Sequence, residues 1–377
     1  MPEILFVTWD GGGNLPPALG LATELARRGH QVRFLGHEAN RRPVQAAGFE
    51  HEAYATARPF SSLAPGSPLA QLAMFGDRGM GRDLLDSLRR SPADLVVVDC
   101  LLFGAMEALR ESGTRYVVLE HLYDAYLRGP WLRGPLGVGM RVRRLRPTRS
   151  LAGAAATLVA TLPELDAGSR APHATALDFI GPVVPPLGPR PEAREPAVLI
   201  SLSTYAFPGM TGRLQSLLDA AGDLEARVVA TTGPAIDPAG LRPAANTEVH
   251  RYVPHAEVMP AMSLVVGHGG HGTTMQALAH DLPVLVMPMH PFLDQPMVGA
   301  SVAAAGAGAV VGRSAKPAEL APALAGLLAP GPHREAAARL GAAIRARPGA
   351  ANGADRIEAL LRPGLRGPGP GRPSARR

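Results

Sequence analysis

A glycine-rich segment in the C-terminal half of the chain has residue types suited to binding a diphosphate. It follows a predicted strand and runs from Gly267 to Thr274 as Gly-His-Gly-Gly-His-Gly-Thr-Thr. Glycines let the backbone approach an oxyanion closely, and the helix predicted at 275–280 adds free N–H groups and a positive dipole end. His268 can donate a ring N–H, and Thr273 and Thr274 can donate hydroxyl groups. The segment therefore predicts a site for the diphosphate of a nucleotide.

Two other interpretations of this segment must be weighed. Its glycines fit the G-x-G-x-x-G pattern of dinucleotide-binding proteins, and Asp294 follows at about the 20 residues expected. However, about three predicted strands precede the segment, whereas that pattern normally follows the first strand of a domain. Asp294 also lies too far beyond Pro288 to be a strand-tip acid, so a dehydrogenase is disfavoured.

His268 and His271 could ligate a metal, but a glycine-rich turn lacks helical spacing and no cysteine or acid completes the set. We therefore expect no metal site.

The residues on either side of the segment resemble a known family. Tyr252-Val253-Pro254-His255 precedes it, and Ala277-Leu278, Leu282-Pro283, Pro288 and Asp294-Gln295-Pro296 follow it. This order resembles the sugar-donor signature of family 1 glycosyltransferases, the UDP-glycosyltransferase superfamily. The nearest branch resembles the bacterial natural-product enzymes. The likeness is continuous over about residues 250–308 and looser at 201–204 and in the N-terminal turn and helix.

The resemblance implies an α/β protein with two Rossmann-like domains facing across a cleft, the GT-B fold, and a C-terminal helix crossing back to the N-terminal domain. It implies an inverting, metal-independent glycosyltransferase of hexosyltransferase type. Such an enzyme moves a sugar from a UDP- or TDP-sugar to a hydroxyl or other nucleophile of a small hydrophobic acceptor, here a natural product. The nucleotide-sugar is a co-substrate, and no cofactor is expected. The alternative is a catalytically inactive, glycosyltransferase-like activator or partner protein.

The resemblance also assigns roles in binding the sugar donor. Tyr252 takes the position that stacks on the base, and Val253 takes the backbone position beside it. The diphosphate positions fall on His268, Gly270, Gly272, Thr273 and Thr274, with Thr204 as a hydroxyl near the phosphates. Asp294 and Gln295 take the positions that bond sugar hydroxyls, which suits a carboxylate and an amide. A structural alternative is that this pair only begins the helix predicted at 296–305.

The catalytic base is the point at which the chain departs from the family. The usual base is a histidine in the first turn, and Asn14 occupies that position; an amide cannot accept the proton. The orienting acid of the family matches Asp99. Three hypotheses remain: Asp99 or Asp10 takes the proton, His121 takes it, or the acceptor is acidic enough that Asn14 need only position it. Asp10 could instead only cap the turn, and His121 could be a partly buried loop residue.

Strands and helices alternate along the chain and predict parallel sheets. An apolar strand at 4–8, a helix at about 17–28 and a strand at 31–35 open the first unit, followed by strands at 95–99 and 116–119. Six prolines in 181–196 predict a linker. Further strands are predicted at 197–202, 227–230, 248–251, 264–267, 284–287 and 309–311, and terminal helices near 317–328, 333–346 and 350–361. We divide the chain into an acceptor-binding domain (1–180), the linker, a nucleotide-sugar-binding domain (197–362) and a disordered basic tail (363–377).

The acceptor itself cannot be identified from the sequence. Residues 56–82 and 122–150 are less regular in sequence pattern and are candidates for the acceptor-binding surface. They contain aromatic and methionine side chains that could bind a lipophilic molecule or could be ordinary packing: Phe60, Met74, Phe75, Met80, Tyr123, Tyr126 and Trp131.

Composition excludes several other classes of protein. The net charge is +6, but five arginines and no acid lie in 362–377, so the remainder is nearly neutral and nucleic-acid binding is not expected. No apolar run is long enough to span a membrane, and we expect no stable membrane insertion. The single cysteine, Cys100, excludes an intrachain disulfide. A cytoplasmic location is expected, and the oligomeric state is left open.

Overall fold

The computed structural model describes residues 1–189 and 195–362. Within these ranges the chain forms two parallel β-sheets, one from each half of the sequence, each flanked by helices. This confirms the predicted α/β class with two Rossmann-like units. The predicted basic tail (363–377) and residues 190–194 of the predicted linker lie outside the described residues.

The first sheet has seven described strands in the order β3-β2-β1-β4-β5-β6-β7. They are β1 (Glu3–Val7), β2 (Gln31–Gly36), β3 (Glu50–Ala53), β4 (Leu95–Asp99), β5 (Tyr116–Glu120), β6 (Ala156–Val159) and β7 (Asp178–Phe179). Alternate residues of β1 pack into hydrophobic clusters on opposite faces, Leu5 on one and Phe6 on the other. The strand order changes direction between β1 and β4, so their carboxyl ends flank a crevice of the kind that binds ligands.

The second sheet repeats this arrangement with six described strands in the order β10-β9-β8-β11-β12-β13. They are β8 (Ala197–Ser201), β9 (Arg227–Thr231), β10 (Thr247–His250), β11 (Leu264–Gly267), β12 (Val284–Val286) and β13 (Gly308–Val310). The change of direction falls between β8 and β11, where Gly267 lies opposite Ser201. The predicted Thr204 and glycine-rich segment therefore follow the two strands that flank the crevice of the second sheet.

The helices follow the strands along the chain. Those of the first half are α1 (Leu15–Arg27), α2 (Arg41–Ala46), α3 (Pro68–Phe75), α4 (Arg78–Arg90), α5 (Phe103–Ser112), α6 (Asp124–Tyr126), α7 (Pro135–Val142) and α8 (Pro147–Ala152), with a π-helical turn at Leu127–Trp131. Those of the second half are α9 (Met210–Ala221), α10 (His255–Val258), α11 (His271–Ala279), α12 (Gln295–Ala304), α13 (Pro317–Leu328), α14 (Pro332–Arg345) and α15 (Gly349–Leu361).

Helix α15 returns to the N-terminal domain, as predicted. Ile357 and Leu360 are buried in the same hydrophobic cluster as Leu21 of α1. Arg28, just after α1, lies 3.0 Å from Glu358 through its guanidinium group. The last helix therefore ties the second half of the chain to the first domain.

One prediction about local structure was wrong. Helix α11 begins at His271 rather than 275, so the second half of the glycine-rich segment is already helical. Residues 122–150 are more regular than expected and largely helical, whereas residues 56–82 are helical only at 68–75 and 78–82. Their prolines include Pro68, Pro135 and Pro147, which begin helices, where a missing N–H costs nothing. In the described part of the chain, no helix has the length and apolar character needed to cross a membrane.

Candidate active site

The turn between β11 and α11 depends on one glycine that sequence reasoning did not single out. Gly269 has a φ of +83°, and a Cβ there would lie 2.7 Å from the carbonyl oxygen of Gln295. Only glycine tolerates both conditions without strain. In contrast, a Cβ on Gly272 would meet no atom within 4 Å. Gly269 therefore fixes the path of the turn, while Gly270 and Gly272 lie where the backbone N–H groups of the helix start are free.

The two histidines of this turn are neutral near pH 7. Burial lowers the pKa of His268 to about 4. Burial, with a smaller effect from His121, lowers the pKa of His271 to about 3. His268 can thus donate a hydrogen bond to a diphosphate but adds no positive charge in this state. Thr273 is partly exposed whereas Thr274 is buried, so only the first hydroxyl is readily accessible.

Asp294 and Gln295 differ in their surroundings. The side-chain oxygen of Gln295 accepts hydrogen bonds from the backbone of Met289 (2.7 Å) and His290 (3.0 Å). This residue therefore holds the turn after β12 and keeps only its amide N–H groups for a ligand. Burial raises the pKa of Asp294 to about 6, although the nearby His121 lowers it. The carboxyl group of Asp294 is consequently poised to titrate near neutral pH.

The predicted base-stacking position is open to a ligand. Tyr252 is 77% exposed, which is unusual for an aromatic side chain in this protein. Val253 beside it is partly buried and packs against the core. An exposed ring on an anchored backbone is suited to stacking on a planar group.

Thr204 lies where the two domains meet. A Cβ on Gly12, in the turn after β1, would lie 2.7 Å from its hydroxyl oxygen. In the same region the backbone N–H of Ala206 donates to the carbonyl oxygen of Ser62, at 3.0 Å. The turn after β1 and the loop after β8 therefore face each other across the cleft.

Asn14 is buried and held by three hydrogen bonds at the start of α1. Its amide nitrogen donates to Thr8 Oγ1 (3.0 Å), the carbonyl oxygen of Trp9 (3.1 Å) and Asp99 Oδ2 (2.9 Å). Its amide oxygen has no hydrogen-bond partner. Asn14 thus occupies the position of the missing histidine and keeps the contact to Asp99, but offers no titratable group.

His121 lies on the other side of Asp99. Its Nε2 atom is 3.2 Å from Asp99 Oδ2, without the alignment of a hydrogen bond. Burial disfavours a charged ring, but the negative charges of Asp99 and then Asp294 outweigh it and raise the pKa of His121. The other Asp99 oxygen accepts from the backbone N–H of Leu101 at 3.0 Å. Asp99 therefore orients two side chains, and His121 stands between carboxylates from both domains.

Asp10 is engaged elsewhere. Its two carboxylate oxygens accept from the hydroxyl (3.0 Å) and the backbone N–H (3.1 Å) of Ser62. This pairing fastens the loop after β3 to the turn after β1. Of the alternatives for Asp10, its contacts favour a structural role.

The aromatic residues predicted to bind an acceptor are mostly core residues. Trp131 packs edge-on against Phe75 and tilted against Phe103, and Phe75 contacts Trp9. Phe60 is the only partly exposed residue of the predicted set; the buried ones are Met74, Phe75, Met80, Tyr123, Tyr126 and Trp131. The helices of these segments pack these side chains together, so they form a wall behind the cleft rather than an open surface.

Two of the aromatic residues considered for the acceptor surface, Tyr123 and Tyr126, instead join the two domains. The hydroxyl of Tyr123 lies 2.8 Å from Ser301 Oγ, and that of Tyr126 donates to the carbonyl oxygen of Phe292 at 3.0 Å. The Tyr123 ring also lies 5.7 Å from that of His271. These contacts hold the ends of β5 and β11 close together.

Asp99, Cys100 and His121 bring their ligand atoms within 4.8 Å of one another, as a metal site would require. Burial raises the pKa of the Cys100 thiol well above its ordinary value, with Asp99 adding to the effect. Because thiols bind metals as thiolates, this group is poorly suited to a metal ion.

The sequence and the structure of this chain resemble those of several known proteins. Residues 215–360 match the family described as erythromycin biosynthesis protein CIII-like, C-terminal domain. The chain is 27% identical over 353 residues to 4'-demethylrebeccamycin synthase of Lentzea aerocolonigenes, covering 75% of this chain and 82% of that protein. A shorter match of 119 residues is 33% identical to demethyllactenocin mycarosyltransferase of Streptomyces fradiae, covering 30% of this chain and 26% of that protein. The structure resembles that of the glycotransferase of kitacinnamycin with a TM-score of 0.79 and 23% identity, covering 96% and 99% of the two chains.

The paired parallel sheets, the cleft between them and this structural likeness define a protein of the GT-B fold. The sequence matches add the kind of activity. The chain is a glycosyltransferase, and it resembles family 1 glycosyltransferases of natural-product biosynthesis.

Proposed function

We propose that this glycosyltransferase moves a sugar, with inversion at the anomeric carbon, from a UDP- or TDP-sugar to a small apolar acceptor. One observation carries the proposal: buried polar atoms without hydrogen-bond partners come from both domains to the cleft. They are Asn14 Oδ1 from the first domain, and His268 Nδ1 and His271 Nε2 from the second. Because buried polar atoms are normally paired, these three atoms suit the polar groups of two bound substrates.

In this proposal the second domain holds the sugar donor. Tyr252 stacks on the base, and the N-terminus of α11 receives the diphosphate together with the neutral ring of His268. Asp294 accepts hydrogen bonds from sugar hydroxyls, and Gln295 donates through its amide nitrogen. Thr204, across from Gly12, closes the phosphate end of the site.

His121 is the proton acceptor in this proposal. The amide of Asn14 is not basic, and the carboxylate of Asp10 is occupied by Ser62. Asp99 accepts hydrogen bonds through both oxygens and is suited to orienting a base rather than being one. His121 combines a titratable ring, partial burial and a carboxylate neighbour, the arrangement that general bases use.

The transfer step follows from this assignment. Asp99 favours the tautomer with the proton on His121 Nε2, which leaves the lone pair of Nδ1 for the acceptor proton. The acceptor oxygen bonds to the anomeric carbon as its proton passes to Nδ1. The bond from that carbon to the diphosphate oxygen breaks, and the nucleoside diphosphate leaves with the electron pair. Asp99 stabilises the imidazolium, and the start of α11 stabilises the diphosphate.

The test begins with binding. The chain is titrated calorimetrically with UDP, TDP and NADH, with Tyr252→Ala as the variant expected to weaken nucleotide binding without affecting the fold. Binding of UDP or TDP is expected, and binding of NADH alone would overturn the proposal.

Turnover is then measured with UDP- and TDP-sugars and a set of apolar acceptors. The anomeric configuration of the product, determined by NMR, reports inversion directly, and retention would contradict the mechanism. Tight nucleotide binding without transfer to any acceptor, combined with activation of another transferase, would instead support a catalytically inactive partner protein.

A further inference from the structure

The segment of the first domain that contains α7 and α8 carries an unusual excess of positive charge. Between Asp124 and Glu164 the sequence contains seven arginines and no acid. Six of these arginines are exposed, on α7, on α8 and in the segments beside them: Arg133, Arg141, Arg143, Arg144, Arg146 and Arg149. We call these six residues, with the exposed aliphatic residues described next, the basic face.

Apolar side chains are exposed beside these arginines. Val138 and Val142 of α7 are 46% and 77% exposed, and Leu69 of α3 is 72% exposed. The two valines are four residues apart and therefore share one side of the helix. Helix α3 packs against α7, because a Cβ on Gly139 would lie 2.5 Å from Leu72. Cationic and aliphatic groups are thus combined on adjoining helices.

Most charges of the basic face have no ion-pair partner in the described part of the chain. Among the described residues, Arg133, Arg143, Arg144, Arg146 and Arg149 form no ion pair. In the same segment, the less exposed Arg128 is paired with Asp124 and Glu120. The outward-facing arginines are therefore free to bind an external anion.

Arg144 occupies a backbone position that favours glycine. Its φ is +62°, in the left-handed region, just beyond the end of α7, where helices commonly place glycine. An arginine there is strained relative to glycine. The chain therefore carries a positive charge at a position where glycine would have the lower backbone energy.

We propose that the basic face docks on a lipid surface carrying anionic headgroups. Exposed arginines can pair with lipid phosphates, and the aliphatic side chains can enter the boundary between headgroups and acyl chains. Because exposed aliphatic side chains lie beside the arginines, a surface that offers phosphates and acyl chains together fits the basic face. A lipid surface is therefore favoured over an acidic protein. The inference does not depend on the proposed sugar donor or on the identity of the base.

Co-sedimentation of the full chain with vesicles tests the proposal. Vesicles of phosphatidylcholine with phosphatidylglycerol are compared with vesicles of phosphatidylcholine alone, at low and high salt. Binding is expected only to the anionic vesicles and should weaken as salt screens the charges. Absence of binding to anionic vesicles would overturn the proposal.

Variants distinguish the basic face from general attraction of a cationic protein. Arg144→Gly relieves the backbone strain while removing one charge, and we expect a roughly fivefold lower partition coefficient, since a surface charge is worth about 1 kcal/mol. Arg143→Glu should lower it further, whereas Arg339→Glu on α14 makes the same change of charge at an exposed site remote in sequence and should have much less effect. Val142→Asp tests the aliphatic contribution.

The comparison is repeated on a chain lacking 363–377, because that segment is also arginine-rich. Binding that disappears with this segment, or that falls equally in Arg143→Glu and Arg339→Glu, would refute a role for the basic face. Melting temperatures at or above that of the parent are expected for Arg144→Gly, so loss of binding in that variant cannot be attributed to unfolding.

Discussion

His121 offers the most direct test of the proposed mechanism. Replacing it with glutamine keeps a polar side chain of similar reach but removes the titratable nitrogen. A positioned general base contributes about 10²–10⁴-fold to the rate, and each factor of ten corresponds to about 1.4 kcal/mol. We therefore expect His121→Gln to raise the barrier to glycosyl transfer by roughly 3–5 kcal/mol. The assay is single-turnover formation of the glycosylated acceptor at saturating sugar donor.

The pH dependence gives an independent signature. His121 must be neutral to accept a proton, so turnover should fall on the acid side of its pKa. Asp99 and Asp294 raise this pKa above the ordinary value of 6.5. The acid limb of the pH profile, where turnover falls as the ring gains a proton, should therefore lie above that pH. Asp99→Asn removes the nearer charge and should move the limb to lower pH while lowering the plateau. The raised pKa also stabilises the folded protein below about pH 6.5, and this stability is lost as pH rises through the folded-state pKa.

A rescue variant separates loss of the base from a general disturbance. Asn14 donates to the same Asp99 oxygen that faces His121, so Asn14→His in a His121→Gln background should restore part of the turnover. Affinity for UDP or TDP should be nearly unchanged in both variants. If His121→Gln retains full turnover and the same acid limb, the assignment of the base is refuted.

Three other predictions concern the sugar-donor side of the cleft. Asp294→Asn removes a carboxylate whose pKa burial raises to about 6 from 3.8, so unfolding measurements should show a gain of up to about 3 kcal/mol at pH 8 that vanishes below about pH 4. The same variant should bind nucleotide-sugar more weakly, and a gain independent of pH would contradict this account. Gly269→Ala places a Cβ 2.7 Å from the carbonyl oxygen of Gln295 at a position with positive φ. The free energy of unfolding should fall by about 1–3 kcal/mol, and binding of the nucleoside diphosphate should weaken. Gly272→Ala is the matched control, and equal losses in the two variants would show that the turn does not act as described. Tyr252→Ala should weaken nucleotide affinity by about 1–3 kcal/mol through lost stacking without changing the melting temperature, because the ring is largely exposed; a large fall in melting temperature would instead indicate a structural role.

The sequence predicted those features that are local along the chain. The buried strands and the glycine-rich turn could be predicted because the hydrophobic runs, and the glycines that follow them, lie within a few neighbouring residues of the sequence. The start of α11 was placed too late because Gly272 and the two threonines disfavour helix by propensity, whereas the fold needs helix there. Similarly, the aromatic residues of 56–82 and 122–150 could not be assigned to surface or core without knowing which elements cover them.

Features that depend on contacts between distant segments were not predictable. No local pattern shows that the Gln295 side chain supports the turn after β12, or that Gly269 must accommodate the Gln295 backbone. The closeness of His121 to Asp294, and its effect on both pKa values, arises only when the two domains meet. The sequence therefore indicated which residues could act, and the fold determined which of them share an environment.

The departure at Asn14 and the proposed role of His121 are linked through Asp99. Strands β4 and β5 pair in parallel with Asp99 opposite Leu119, so His121 follows just beyond the paired position and reaches the same carboxylate as Asn14. A general base can therefore be supplied either from the turn after β1 or from the end of β5, and Asp99 can orient it in both cases. It follows that Asp99→Asn should lower turnover by similar factors in the parent chain and in the Asn14→His, His121→Gln rescue variant. A loss confined to one of the two would show that the two histidine positions do not depend on a common acid.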